Sequence, residues 1–209
     1  TLLREKFARK PAVAEANVKV LEAGYNFGSN VHASIEHTYH IETSEPKRPG
    51  KYMDINGNKA TAYGFIAAAE KAGLRLYLGS YPITPATDVL HELAKHKSLG
   101  VATVQCEDEI AGCASAIGAA FGGALAVTST SGPGVCLKSE AMNLAVMTEL
   151  PLVVLNVQRG GPSTGLPTKS EQADLLQALY GRNGESPMPV LAASSPVDCF
   201  YMAYEAARM

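Results

Sequence analysis

No CxxC pair occurs among the four cysteines, no run of basic residues, no apolar stretch at the start Thr1-Leu2-Leu3-Arg4-Glu5-Lys6, and neither a GxGxxG nor a GxxxxGK[ST] motif. Each absence excludes something. Cys106, Cys113, Cys136 and Cys199 lie too far apart to nucleate a zinc or iron–sulfur site, and read as free thiols in a reducing, cytoplasmic compartment. Eighteen Lys and Arg against 20 Asp and Glu, scattered along the chain, supply no basic field for nucleic acid or an anionic membrane. The start lacks the apolar core of a signal peptide. The missing glycine fingerprints argue against a nicotinamide dinucleotide or a P-loop nucleotide. His32, His37 and His40 have no carboxylate or cysteine at ligand spacing to complete a metal set, and read as surface histidines.

What the chain does have is length and apolar content enough for a full domain: 209 residues, 46% hydrophobic and 18% charged. It also has one unusual stretch. Glu107-Asp108-Glu109 is followed by a run from Ile110 to Leu137 without a charge or a histidine, built mostly from Ala, Gly, Ser, Thr and Val. Gly122-Gly123 and Ser131-Gly132-Pro133-Gly134 interrupt that run, so it reads as helix, turn and strand in a soluble core, not as a membrane span. A carboxylate next to so much small apolar surface is costly unless it is solvated, paired or employed.

Taken in order, Pro11 to Gly24 carries Val13, Ala16, Val20 and Leu21 at helical spacing, with Gly24 as a stop. No period is sustained from there to His40. Residues 41–58, rich in Pro, Gly and charge, read as a linker. From Lys59 the pattern alternates. Helices are expected over Ala60–Ala72 (ended by Gly73), Pro85–His96 (capped by Thr84), Asp108–Phe121, Val135–Thr148, Ser170–Tyr180 and Val197–Arg208. Strands are expected over Leu74–Leu78, Val101–Val104, Ala124–Thr128, Leu152–Val157 and Pro189–Ala192. Alternation at this interval predicts an α/β fold: a doubly wound, mostly parallel sheet with helices on both faces.

Ligands of such sheets bind beyond the carboxyl ends of the strands. Four of those ends bring a hydroxyl, a carboxylate, a glycine turn and an arginine to one rim. Glu107, Asp108 and Glu109 stand at a helix start, where acids are favoured for purely structural reasons. Glu109 precedes the small-residue helix, and a carboxyl shielded from water is suited to holding and passing a proton. The Ser131–Gly134 loop enters a helix, so its amides could meet an anion or a flat ring, or serve only as a tight turn. Arg159, followed by two glycines, could grip a carboxylate bidentately or pair with a neighbouring acid. Thr84 keeps an O–H to donate even while capping.

Four motifs in register carry a resemblance: Tyr81-Pro82-Ile83-Thr84-Pro85, Glu107-Asp108-Glu109-Ile110-Ala111, Thr130-Ser131-Gly132-Pro133-Gly134, and the stretch from Gln158-Arg159-Gly160-Gly161 through Pro162 to Thr168. In this order and spacing the chain from about Asn58 onward resembles the alpha subunit of 2-oxoacid:ferredoxin oxidoreductases. Residues 1–40 resemble the tail of that family's gamma domain, fused ahead of alpha. The resemblance implies that 59–209 is the pyrimidine-binding domain of a thiamine diphosphate fold, truncated at its C-terminal end. It implies that Glu109 hydrogen-bonds the pyrimidine N1′ of the cofactor and promotes its imino tautomer, and that Thr84 and Arg159 contact the substrate. Tyr81, Pro82, Ile83, Ser131, Gly132 and Pro133 would line the cofactor with Glu109.

The activity implied is oxidative decarboxylation of a 2-oxoacid to an acyl-coenzyme A, with electrons passed to ferredoxin or flavodoxin in an anaerobic type of metabolism. The fused gamma tail and the Arg159–Thr168 loop favour 2-oxoglutarate, with pyruvate and branched or aromatic 2-oxoacids left open. A GDG…N segment for Mg2+ and diphosphate is missing, as are cluster cysteines. Both the metal and the iron–sulfur clusters are therefore expected on a partner beta subunit, in a hetero-oligomer with alpha–alpha contacts, and the chain alone is expected to be inactive. Two alternatives stay open at this level: a non-catalytic α/β scaffold, and a thiamine enzyme of the decarboxylase or transketolase type.

Overall fold

The structure is a computed structural model that describes residues 2–35, 37, 39, 40, 42 and 48–209. It divides into two compact units, 1–51 and 52–209. In the first, α1 (Leu2–Lys6) and α2 (Pro11–Ala33) are joined by an ion pair from Arg4 Nε to Glu15 Oε1 at 3.0 Å. Helix α2 runs past the expected stop: Gly24 and Gly28 lie inside it, with nothing near enough to either α-carbon to require a glycine. An interior glycine costs a helix only about 1 kcal/mol relative to alanine, too little to end one with good formers on both sides. The expected linker over 41–58 falls partly on residues outside those described.

The second unit is the α/β domain. Helix α3 (Gly57–Ala72) starts three residues earlier than its apolar pattern, because the Asn56 side chain accepts from Lys59 N at 2.9 Å. It ends at Gly73, as expected. Strands β1 (Leu76–Ser80), β2 (Val101–Gln105), β3 (Leu125–Thr130) and β4 (Val153–Asn156) form one sheet in the order β2-β1-β3-β4, every pair parallel. Helices α4 (Thr87–Leu93), α5 (Glu109–Phe121), α6 (Gly132–Met147), α7 (Leu175–Tyr180) and α8 (Pro196–Arg208) complete the domain. The doubly wound expectation holds.

Alternation along the strands explains the two layers. Leu76, Leu78 and Val127 point to one face and pack with Phe65 of α3 and Val89 and Leu93 of α4. Each such side chain contributes about 1.5–3 kcal/mol when fully buried. On the other face Tyr77 and Ala126 meet Ala116 and Ala120 of α5, and Cys113 and Ile117 continue into Ala141 and Ala145 of α6. Small residues let α5 approach the sheet closely. A side chain on Gly79 would lie 2.3 Å from both Gly112 O and Ser115 Oγ, which is why β1 carries a glycine where strands usually disfavour one.

Two expectations fail here. Thr84 caps nothing: α4 begins at Thr87, and the Thr84 carbonyl is held elsewhere in the fold. Pro189–Ala192 is irregular, not a fifth strand. Its alternation of exposed and half-buried residues persists, but Pro187 and Pro189 carry no N–H to donate to a ladder. Among the described residues no helix is long and apolar enough to cross a membrane.

Candidate active site

The polarity of the central strands changes along their length. Both begin apolar and end in hydroxyls: Ser80 on β1, and Thr128, Ser129 and Thr130 on β3 followed by Ser131, every one of them at most 1% exposed. Paired in register, Ser80 and Ser129 share a hydrogen bond between their Oγ atoms at 2.7 Å. Buried hydroxyls at strand ends stiffen the floor of the rim where ligands of this architecture bind.

Onto this floor the loops set the expected residues. Asp108 is the N-cap of α5, its carboxylate accepting from Ala111 N at 2.7 Å, so it serves the helix. Glu107 is exposed. Glu109 differs from both: it is 8% exposed, and neither carboxylate oxygen is hydrogen-bonded to a described residue. Its side chain runs past Gly134, where an added Cβ would lie 3.0 Å from Glu109 Cγ and 1.8 Å from Thr130 Oγ1. Only a glycine in the first turn of α6 leaves the Glu109 side chain its path.

Arg159 follows β4 and is 6% exposed. Its guanidinium donates from Nη1 to the Thr84 carbonyl at 2.7 Å and from Nη2 to the Thr164 carbonyl at 2.6 Å, while its Nε is buried with no partner among the described residues. No acid pairs with it among the described residues. The fork thus ties the Tyr81–Pro85 loop to the Arg159–Lys169 loop, which is closed on itself by Gly160 N to Lys169 O and Leu166 N to Gly160 O, each 2.9 Å. Thr84 is exposed, its hydroxyl unbonded among the described residues; Tyr81 is exposed and Pro82 and Ile83 are half-buried beside it. Gly132 and Pro133 open α6, and Ser131 Oγ just before them is buried with no partner among the described residues.

Two buried groups escaped the sequence reading. Asp174 accepts from Asn156 Nδ2 at 2.6 Å and from Gln158 Nε2 at 3.0 Å, and its carboxylate faces Gly132. Lys138, fully buried, donates from Nζ to the Glu109 carbonyl and to Thr128 Oγ1, both at 2.9 Å. Burial pushes the Lys138 pKa down from the usual lysine value of 10.5, against the opposing pull of Cys113, Glu109, Cys106 and Asp108. The signal available in the sequence was that the neutral run ends at a lysine four residues after Gly134, on the same helix face. Among the described residues, no group of three or more His, Cys, Asp and Glu could hold a metal ion.

Fold and rim together define a class: a parallel α/β domain that presents at its strand ends a glycine-opened helix and a buried carboxyl bonded to no described residue. Residues 67–209 match the family described as pyruvate flavodoxin/ferredoxin oxidoreductase, thiamine diphosphate-binding. The chain belongs to this family. It is 64% identical over 207 residues to the 2-oxoglutarate oxidoreductase subunit KorA of Mycobacterium tuberculosis, covering 99% of this chain and 31% of that protein. To the 2-oxoglutarate synthase subunit KorA of Archaeoglobus fulgidus it is 44% identical over 156 residues, 74% of this chain and 44% of the other. A solved 2-oxoglutarate:ferredoxin oxidoreductase from Magnetococcus marinus, with 2-oxoglutarate, coenzyme A and succinyl-CoA bound, superposes with a TM-score of 0.77 at 38% identity. That match covers 98% of this chain and 35% of the solved one, so the chain spans about a third of its length.

Proposed function

We propose that this chain is the pyrimidine-binding part of the alpha subunit of a 2-oxoacid:ferredoxin oxidoreductase that acts on 2-oxoglutarate. Residues 59–209 form that domain, 41–58 a linker, and 1–40 the tail of a gamma-like domain. The observation that carries the reading is Glu109, a buried carboxyl whose oxygens bond no described residue, beside Gly134 in the first turn of α6. A carboxyl so placed can share a proton with a ring nitrogen in a dry site. Thiamine diphosphate fits this donor set, with Glu109 holding its pyrimidine ring and Tyr81, Pro82, Ile83, Ser131, Gly132 and Pro133 lining it. When bound, the cofactor supplies the carbanion stabilisation that 2-oxoacid decarboxylation requires.

The chain's own residues do the rest. Glu109 exchanges a proton at its carboxyl oxygen. Thr84 offers its free hydroxyl to the 2-oxo group. Arg159 sets the position of Thr84 through the carbonyl it holds and directs its remaining N–H donors at the substrate carboxylate. Mg2+, the diphosphate contacts and the iron–sulfur clusters are assigned to a beta subunit, and coenzyme A and ferredoxin or flavodoxin to the assembled complex, a hetero-oligomer with alpha–alpha contacts. A partner is supported by the outer face of α5, where Ile110 and Phe121 stand 48% and 83% exposed with Ala111, Ala114 and Gly118 between them, uncharged throughout. The four free cysteines suit a reducing cytoplasm.

The test is Glu109→Gln in the complete enzyme, assayed with 2-oxoglutarate, coenzyme A and a viologen acceptor. Turnover is expected to fall about 10²–10⁴-fold, the range of a lost general acid–base group, with assembly intact. Near-normal turnover refutes the role of Glu109. A panel including pyruvate and branched 2-oxoacids decides the substrate.

A further inference from the structure

Lys138 has no part in the proposed function, yet among the described residues it is the only buried lysine. It reaches across from α6 to the first turn of α5 and the end of β3, three elements joined at a single nitrogen. Both acceptors are neutral, a carbonyl and a hydroxyl, so no carboxylate bonded to it offsets the cost of taking the ammonium out of water. Neither acceptor needs it. A carbonyl in the first turn of a helix is already positioned to accept from the N–H four residues on, and a threonine hydroxyl can turn to a backbone oxygen. An apolar side chain of similar volume would fill a merely structural slot at least as well.

What the two bonds do is fix a direction. Glu109 is the first residue of α5, where a helix is least constrained by its own ladder. Pinning its carbonyl to the Thr128 side chain orients the peptide from which its side chain departs. Thr128 itself is fully buried on a strand paired on both sides. On the far side the Glu109 side chain passes Gly134, one helical turn before Lys138 on α6. The same helix therefore clears the path of the carboxyl with a glycine and anchors its main chain with a lysine.

We propose that Lys138 is a positioning residue for Glu109: its ammonium clamps the Glu109 carbonyl to the Thr128 hydroxyl and so sets the direction in which the Glu109 carboxyl leaves α5. This rests on the assignment of Glu109 to the thiamine diphosphate pyrimidine. The charged and titratable groups around the ammonium are Glu109, Asp108, Cys113 and Cys106, all from α5 and the loop before it.

The experiment is a double-mutant cycle in the complete enzyme, with thiamine diphosphate affinity and turnover as separate readouts. Lys138→Met is expected to lower turnover about 100-fold, a cost that misplacing a reacting group by an ångström can carry, and to weaken thiamine diphosphate binding. Lys138→Gln, which keeps an N–H donor without the charge, is expected to recover part of the loss. Because the lysine acts through Glu109, adding Lys138→Met to Glu109→Gln is expected to cost little more than Glu109→Gln alone. Thr128→Val removes the second anchor with almost no change in volume and is expected to lower affinity in the same direction. Should Lys138→Met fail to assemble, Thr128→Val takes its place in the cycle. Additive losses, or wild-type affinity and turnover in Lys138→Met, overturn the assignment of Lys138 alone. Near-normal turnover in Glu109→Gln overturns the reading of Glu109 and this assignment with it.

Discussion

Replacing Gly134 by alanine separates local preference from tertiary fit, because the two predict opposite signs. Gly134 is the third residue of α6, and in a helix alanine is favoured over glycine by about 1 kcal/mol. Were propensity decisive, the variant would be the more stable protein. The structure reverses this. An added Cβ would meet Thr130 Oγ1 at 1.8 Å, Glu109 Cγ at 3.0 Å and Thr130 Cβ at 3.1 Å. Thr130 is fully buried on β3, between β1 and β4, and its β-branched side chain has few rotamers to retreat to. Overpacking of this kind costs about 1–3 kcal/mol, and the first contact is severe enough to put the cost at the upper end. Against the gain in propensity, the net expectation is a loss of about 2 kcal/mol, or about 4–8 °C in the melting transition of a domain this size. The assay is thermal unfolding of the full-length protein alongside titration with thiamine diphosphate, whose affinity is expected to fall under the proposed function because Glu109 must move. Thr130→Ala in the same molecule removes the worst contact, so the double variant should regain part of the lost stability, a non-additive result. A raised melting temperature with unchanged cofactor affinity would refute the geometry.

Arg159→Lys keeps the charge but cannot hold the Thr84 and Thr164 carbonyls together, since an ammonium lacks the planar fork. KM for 2-oxoglutarate is expected to rise roughly 10-fold or more, the equivalent of one lost charge-assisted hydrogen bond, and protease to cut the 159–169 loop sooner; unchanged KM and cleavage would count against it. Glu92 is held below the usual carboxylate pKa of 4.5, first by its hydrogen bond from Lys95 at 2.7 Å and then by His96. A depressed carboxylate pKa means the unfolded chain binds the proton more tightly, so this contribution is complete above pH 4.5 and is lost as the pH falls through the folded-state value. Glu92→Gln should therefore be less stable than wild type near neutrality by about 0.5–1 kcal/mol, and the two unfolding curves should converge in acid. A gap independent of pH would exclude the ion pair as its cause.

The elements that could be read correctly from sequence are those whose cause is local. The stop of α3 at Gly73, the start of α5 just after Asp108 and the alternation of helix and strand all follow from side chains acting on their own backbone. Four motifs in register were enough to name the family, and the small-residue helix behind the acidic cluster pointed to Glu109 as its shielded member, whereas the capping of α5 by Asp108 is visible only in the structure. Where the cause is a neighbour distant in sequence, the reading failed. Thr84 fits a helix cap by spacing, but its carbonyl is held by Arg159, 75 residues on, and α4 starts later. Gly24 looks like a stop, yet nothing in α2 compels one. Pro189–Ala192 has the pattern of a strand without a ladder to join. Lys138 is the sharpest case. As a residue it is one lysine at the end of a neutral run; only packing α6 against α5 and β3 turns its ammonium inward, because a buried donor must find acceptors and the nearest belong to Glu109 and Thr128. Sequence alone determined the kind of fold and singled out Glu109 as the candidate carboxyl, since periodicity is written residue by residue and the four motifs stand in register. Tertiary structure decided how that carboxyl is held, because the groups that hold it meet only when the helices close on the sheet.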